Sequence, residues 1–449
     1  MYTKNSLIIF FAPMTTAIAS QLELLIDSPK TIIPWETIES SWKTRIESAI
    51  IDNFSPYYLT VPSDIDTLSQ IVQFASHHQW SILPCGNGTK LNWGGLINNP
   101  KLVISTQQLN RIIDHAVGDL TITVEAGITL AQLQATLKQH NQFLPIDPSY
   151  PDTATLGGII ATADAGSWQQ RYGGMRDLVL GLSFVRWDGK IAKCGGKVVK
   201  NVAGYDLMKL FTGSYGTLGM ISQVNLRLYP IPEASGTLVV SGETNSISKM
   251  AQSLLKSGLQ PTASDILSQS VVKTLNIGEG MGLIIRFQSI PESVKEQTIQ
   301  VNKIAQELGL STSFYSSEIE VNLWQKLQSL ITSSQSNSSV TCKIGLRPNT
   351  AVNFLAQLDE LIQHQGWGMI NTSRGIGRLK LEIEPSLGTV KRLRTLTEEY
   401  GGFLTILDSP KFLKKQIEPW GYRGNALPLM EKIKQQFDPQ NIFSPSRFF

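Results

Sequence analysis

After the apolar run Trp80-Ser81-Ile82-Leu83 the chain continues "PCGNGTKLNWGG", residues 84–95, with glycines at 86, 88, 94 and 95. A strand that empties into so many unsubstituted positions restricts what can be built around it. Glycine is needed where φ turns positive, or where another group must approach the main chain closely. Successive N–H groups in such a loop form a concave nest for an anion, typically a phosphate. Two familiar phosphate loops fail on spacing. A P-loop needs Gly-Lys-Ser/Thr at a helix start, whereas here Lys90 follows Thr89 and that triplet is absent. A Rossmann turn needs G-x-G-x-x-G between strand and helix, and Gly86 with Gly88 supplies only its first half. Alone, the stretch reads as an elaborate surface turn rather than as a nucleotide site.

Two more stretches share its character. "DPSYPDTATLGGIIATADAGS", 147–167, sets Gly157-Gly158 between the hydroxyls of Thr155 and Thr162, and "GGKVVKNVAGYDLMKLFTGSYGTLGMIS", 195–222, spaces Gly213, Gly216 and Gly219 evenly. Each reads by itself as a loop over a sandwich. Three in order are expected to converge on one extended ligand with a pyrophosphate.

At 449 residues the chain exceeds one ordinary core, so two or three domains are expected. With 41% apolar and 17% charged residues it has a soluble globular composition, and a net charge of +3 argues against a nucleic-acid partner. Cys85, Cys194 and Cys342 are far apart, and none of the five histidines pairs at a ligand spacing. Iron–sulfur and zinc sites are therefore not expected, and reduced thiols point to the cytoplasm. The opening "KNSLIIFFAPMTTAIAS" carries an apolar run much shorter than the ~18 residues of a membrane span. It reads either as a frame whose start is Met14, the preferred reading, or as a secretion signal.

The chain divides into an N-terminal extension and helix (1–50), a strand-and-turn region (51–230), a strand–helix region (231–420) and a C-terminal helix and tail (421–449). In the second, Ser63-Asp64 caps a helix running through Phe74, "LTITVEAG" alternates as a half-buried strand, and Asp188-Gly189 turns a hairpin. The third alternates strands with amphipathic helices, which suggests an α+β cap of two ferredoxin-like halves linked by "SSQSNSS", 333–339.

The three glycine stretches together resemble the FAD-linked oxidases of the vanillyl-alcohol oxidase, or p-cresol methylhydroxylase (PCMH), type. "RYGGMRDLVLGL" (171–182) and "KVVKNVAGYDLMKLFTGSYGTLG" (197–219) look like the glycolate oxidase branch, and within it the E-type FAD-binding subunits. The likeness is specific over 56–230 and returns at 429–448, where "LMEKIKQQFDPQNIFSPSRF" resembles the closing motif. It implies an FAD-binding domain of two α/β subdomains. Gly86, Asn87, Gly88, Thr89 and Lys90 would meet the pyrophosphate, mainly by main-chain N–H, with Pro84 also among the cofactor-binding residues. Thr155, Gly157, Gly158 and Thr162 would line the cofactor's middle, and Gly216, Gly219 and Ile221 its adenine or flavin edge. Thr89 stands where relatives with covalent flavin have histidine, which implies noncovalent FAD. Asn87 occupies a common glycine position, where its tolerance of left-handed backbone is expected to preserve the loop. Ser444-Pro445-Ser446-Arg447 replaces the usual Asn-Pro-Gly-Arg.

By the same resemblance the protein takes part in oxidising glycolate, a small 2-hydroxy acid, to glyoxylate, together with a catalytic flavoprotein subunit and an iron–sulfur subunit. Membrane association would come only through those partners, at the inner face. Relatives that oxidise D-2-hydroxy acids carry paired histidines and an acid in the cap, holding a metal. Nothing here matches, which favours a relay role. His364 reads as a solvated helix end. Arg347, Arg374, Arg378 and Arg447 are candidates to grip a carboxylate, or else they pair with surface acids. Tyr205 and Lys209 are explained equally by packing between domains. The alternative is a free-standing FAD-dependent oxidoreductase acting on another small alcohol or 2-hydroxy acid.

Overall fold

The computed structural model describes residues 21–23, 26, 31–52, 54–198, 204–332, 339–382, 386–422 and 424–448. The expected start at Met14 and nearly all of the serine-rich link lie outside the described residues.

The first layer is a four-stranded sheet of β1 (Ile32–Pro34), β2 (Tyr58–Thr60), β3 (Ile82–Cys85) and β4 (Leu102–Ser105), in the order β1-β2-β4-β3. Both β2 and β3 run parallel to β4, so both faces must be covered. Helix Ile65–His77 covers one. Asp64 caps it by accepting from Thr67 N at 2.7 Å, and Leu68, Ile71, Val72 and Ala75 turn to the sheet. Helix Ser40–Ala49 covers the other face through Ile46 and Ala49. Residues before 51 thus complete this sheet, so the domain starts earlier than the expected boundary.

Seven strands follow: β5 (Ile112–Ala116), β6 (Thr121–Glu125), β7 (Gln142–Phe143), β8 (Val179–Val185), β9 (Ile191–Gly195), β10 (Met220–Arg227) and β11 (Tyr229–Pro230). Five make an antiparallel sheet in the order β5-β6-β10-β8-β9, while β7 pairs with β11. β6 departs from its expected half-burial, since all five residues are buried. Its polar face is covered too, and Glu125 is held there by Arg111 at 2.7 Å. At the turn of the β8–β9 hairpin Gly189 takes the positive φ, +81°, and Asp188 does not.

The cap is one eight-stranded antiparallel sheet. Its strands are β12 (Ala234–Gly242), β13 (Ala263–Leu267), β14 (Met281–Ser289), β15 (Ser311–Ser316), β16 (Val340–Gly345), β17 (Gly366–Asn371), β18 (Ile376–Leu381) and β19 (Phe403–Asp408). The order β15-β12-β14-β13-β17-β18-β16-β19 contains two ferredoxin-like halves joined through their second strands, β13 and β17. Side chains alternate across a sheet. Ile266, Cys342, Ile344, Leu379, Leu404 and Ile406 pack under the helices of the outer face. Asp265, Lys343 and Arg378, one residue out of step, therefore lie on the face turned to the flavin-type domain.

The tail lies against the first domain. Ile433 and Phe437 of helix Leu427–Phe437 pack against the five-stranded sheet. Ile82 N donates to Ile442 O at 2.6 Å, and Ser444 N to Ile82 O at 2.9 Å. Ser446, at the family's glycine position, has φ +66°, a conformation that favours glycine, and its side chain is exposed. Ser446→Gly should stabilise the protein by roughly 1 kcal/mol, read as a raised thermal midpoint. A lowered midpoint would show that the serine side chain compensates for its backbone.

Candidate functional site

All thirteen positions expected to meet the cofactor line one cavity, of about 90 Å³. Gly88 supplies the positive φ, +70°, that lets the loop fold back after β3. Asn87 does not take left-handed backbone; instead its Nδ2 donates to Thr153 O at 2.9 Å, tying the first stretch to the second. A Cβ on Gly86 would lie 1.9 Å from Thr155 Oγ1, and one on Gly157 3.0 Å from Ala126 Cβ. A Cβ on Gly216 would lie 3.2 Å from Pro84 Cγ, where the third stretch closes on the first. The glycines thus serve close approach of backbones as well as φ.

The donor chemistry of this cavity suits a pyrophosphate. None of the main-chain N–H groups of residues 86–90 donates to another described residue. Ser214 Oγ is buried without a partner, as are Nε and Nη1 of Arg447. Arg447 reaches the cavity from the tail and is fixed by donating from Nη2 to Leu91 O at 2.9 Å. Buried side-chain donors such as these are costly unless a ligand or water accepts from them.

A second cavity, of about 70 Å³, shares Thr162 and Tyr215 with the first and is lined on its far side by Asp265, Lys343, Asn371 and Arg378 of the cap. At the wall between them, Asp164 takes the Lys90 ammonium at 2.6 Å and the Arg378 guanidinium, and accepts from Ser149 N at 3.0 Å. Burial opposes ionisation of Asp164, but the two cations hold its carboxyl below the usual range. A third cavity, about 310 Å³, continues past Gly166, Ser167, Met369 and Arg378 to Asp147, Trp324 and Arg286.

Of the weak catalytic candidates, Arg378 and Arg447 reach these cavities. Arg374 does not, being exposed and bonded to Gln169 O at 2.8 Å. Arg347 is exposed beside Gly401, Tyr205 is 88% exposed, and Lys209 pairs with Asp206 at 2.5 Å. His364 is exposed at its helix end. Among the described residues no group of three or more His, Cys, Asp or Glu is arranged to hold a metal, and no helix is long and apolar enough to cross a membrane. Asp147, Asp164, Asp265 and Lys343 were not anticipated. The available signal was a lone charge inside an apolar strand or a glycine–alanine loop.

Residues 56–195 match the FAD binding domain family. The chain is 26% identical over 425 residues to glycolate oxidase subunit GlcD of Bacillus subtilis (strain 168), covering 88% of this chain and 89% of that protein. It is also 26% identical over 431 residues to a mitochondrial D-lactate dehydrogenase [cytochrome] of Arabidopsis thaliana, covering 87% and 73%. Among solved structures, p-cresol methylhydroxylase with substrate bound shares the fold at a TM-score of 0.74 and 13% identity, covering 97% of this chain and 96% of that one.

Asp147 gives the site a pH signature. Its carboxylate accepts from Ser167 N at 2.9 Å and Trp168 N at 3.1 Å, yet burial pushes its pKa up to about 7. A carboxyl raised in the folded state binds more protons there than in the unfolded chain between about pH 4 and 7, so its contribution falls as pH rises through that window. Asp147→Asn should therefore gain stability relative to wild type between pH 4 and 8, by on the order of 4 kcal/mol. Parallel unfolding midpoints across that range would contradict the assignment.

Proposed function

We propose that the chain, whose residues 56–195 match the FAD binding domain family, is an FAD-linked oxidoreductase of the vanillyl-alcohol oxidase and PCMH type and the FAD-binding subunit of an assembly oxidising glycolate to glyoxylate. Its electrons pass to an iron–sulfur partner. The observation that carries this reading is the nest of unengaged N–H groups at 86–90, continuous with a small cavity lined by cations.

In this reading residues 86–90 donate main-chain N–H groups to the pyrophosphate, as a nest does. Thr155, Gly157, Gly158 and Thr162 flank the cofactor's middle, and Gly216, Gly219 and Ile221 its edge. Arg447 directs its two free donors at the same cavity. Bound FAD supplies the acceptor for the substrate's α-hydrogen and its electron pair. Arg378 holds the substrate carboxylate by a charge-assisted contact, with its guanidinium 5.1 Å from the Trp93 ring centroid. The flavin is held noncovalently. No histidine lines the cavity, and burial pushes the Cys85 thiol up to about 12, which keeps it from acting as a nucleophile. Membership of an assembly is supported by the naming of the Bacillus relative as a subunit. Any membrane location would be conferred by the partners.

The holoprotein tests this directly. An anaerobic visible spectrum should lose its oxidised-flavin band on adding glycolate. The reduced protein should then return electrons quickly to ferricyanide and slowly to oxygen, as a subunit feeding a one-electron partner does. Rapid reoxidation by oxygen would favour a free-standing oxidase, and an unchanged spectrum would remove glycolate as this subunit's own substrate and return it to the relay role that its missing histidines suggest.

The placement of the pyrophosphate has its own test. In Gly88→Val a Cβ would sit 3.1 Å from the Trp42 ring at a φ of +70°, adding strain on the order of 1–3 kcal/mol. The variant should purify with little FAD. Retention of FAD at the wild-type affinity, measured by fluorescence titration, would move the pyrophosphate elsewhere.

A further inference from the structure

We propose that the second cavity is itself a catalytic site for 2-hydroxy acids, in which Asp265 Oδ2 takes the hydroxyl proton while Lys343 and Arg378 hold the carboxylate. The assignment rests on reading the chain as an FAD-dependent 2-hydroxy acid oxidoreductase.

The residues are brought together by strand register. Asp265 on β13 pairs with Asn371 on β17, and Lys343 on β16 pairs with Arg378 on β18. All four face the same side of the cap sheet and line the same cavity. Asp265 is only 2% exposed, yet its Oδ2 has no hydrogen-bond donor. The Ser167 hydroxyl and Asn371 amide lie beside the carboxylate, but at strict geometry only Asn371 donates, to Oδ1 at 3.5 Å. The other buried carboxylates here are committed. Asp164 is taken by Lys90 and Arg378, Asp147 by two main-chain N–H groups, and Glu320 by Ser235, Thr237 and Arg286. Lys343 lines the cavity with no ion-pair or hydrogen-bond partner among the described residues.

A buried carboxylate with a free oxygen, lining the same small cavity as an ammonium and a guanidinium, supplies the kinds of group that an ionised 2-hydroxy acid calls for. The carboxylate of the substrate meets the cations, and its hydroxyl donates to Asp265 Oδ2. The balance is simple. The O–H bond breaks and its proton goes to Asp265. The α C–H bond breaks and its hydrogen leaves with both bonding electrons to the flavin. The alcohol carbon becomes the carbonyl of a 2-oxo acid. Burial lifts Asp265 to about 6, which leaves it ionised at neutral pH and basic enough to serve. No histidine or metal is needed for the proton.

Full-length holoprotein tests the site with two probes, glycolate for anaerobic flavin reduction and oxalate for binding by calorimetry. Asp265→Asn should keep its flavin and bind oxalate at least as tightly as wild type, while glycolate reduction slows 100-fold or more. Lys343→Met should keep its flavin and weaken oxalate 10-fold or more. If Asp265→Asn does not hold flavin, Asp265→Ala with added formate replaces it, and formate should restore reduction. Wild type that bleaches, with Asp265→Asn bleaching within threefold of it, overturns this assignment and leaves the function proposed above intact. Wild type that binds oxalate through Lys343 but never bleaches removes the redox reading and keeps only the anion site, overturning Asp265 as base. Wild type that neither bleaches nor binds oxalate overturns both.

Discussion

One carboxylate sits where the two domains meet. Asp164 is fully buried and takes Lys90 from the glycine loop on one side and Arg378 from the cap on the other. None of the three would tolerate that burial alone, because an unpaired charge removed from water is severely penalised. The arrangement therefore exists only with the cap seated on the flavin domain. It also divides labour within the loop. With its ammonium engaged at Asp164, Lys90 has only its N–H left free toward the cavity, and the wall between the two cavities carries fixed charge.

The cradle was legible in the sequence because its demands are made on the backbone. A positive φ at Gly88 and close approaches at Gly86, Gly157 and Gly216 admit few residues, so glycine marks them at sight. The cap was legible as a class, since strands alternating with amphipathic helices imply its two halves. Its details were not. Strands β13 and β15 are short, serine-containing segments, and helix Ser317–Thr332 begins in polar residues directly after one of them. Nothing local separated these from loops.

The charged residues of the second cavity were harder still. Asp265 and Lys343 are single ionisable groups in otherwise apolar strands, and a sequence does not say whether such a group meets water, a partner or a substrate. Only the register that sets Asp265 beside Asn371, and Lys343 beside Arg378, answers that. The four arginines illustrate the same limit. They were equivalent as letters, and tertiary position alone separates Arg378 and Arg447 from Arg347 and Arg374.

The seam of the cap sheet has a geometric consequence. β13 and β17 meet through three pairs centred on Ile266 and Ile370, so a pseudo-twofold axis passes between those two isoleucines and relates one half of the cap to the other. A surface with twofold symmetry would offer its partner two equivalent docking poses. Here the symmetry is broken at the axis itself. Asp265 and Asn371 make one end of the seam polar, while Leu267 and Met369 make the other apolar. The cap thereby acquires a head and a tail, and a duplicated scaffold can seat on a single flavin domain in one orientation only.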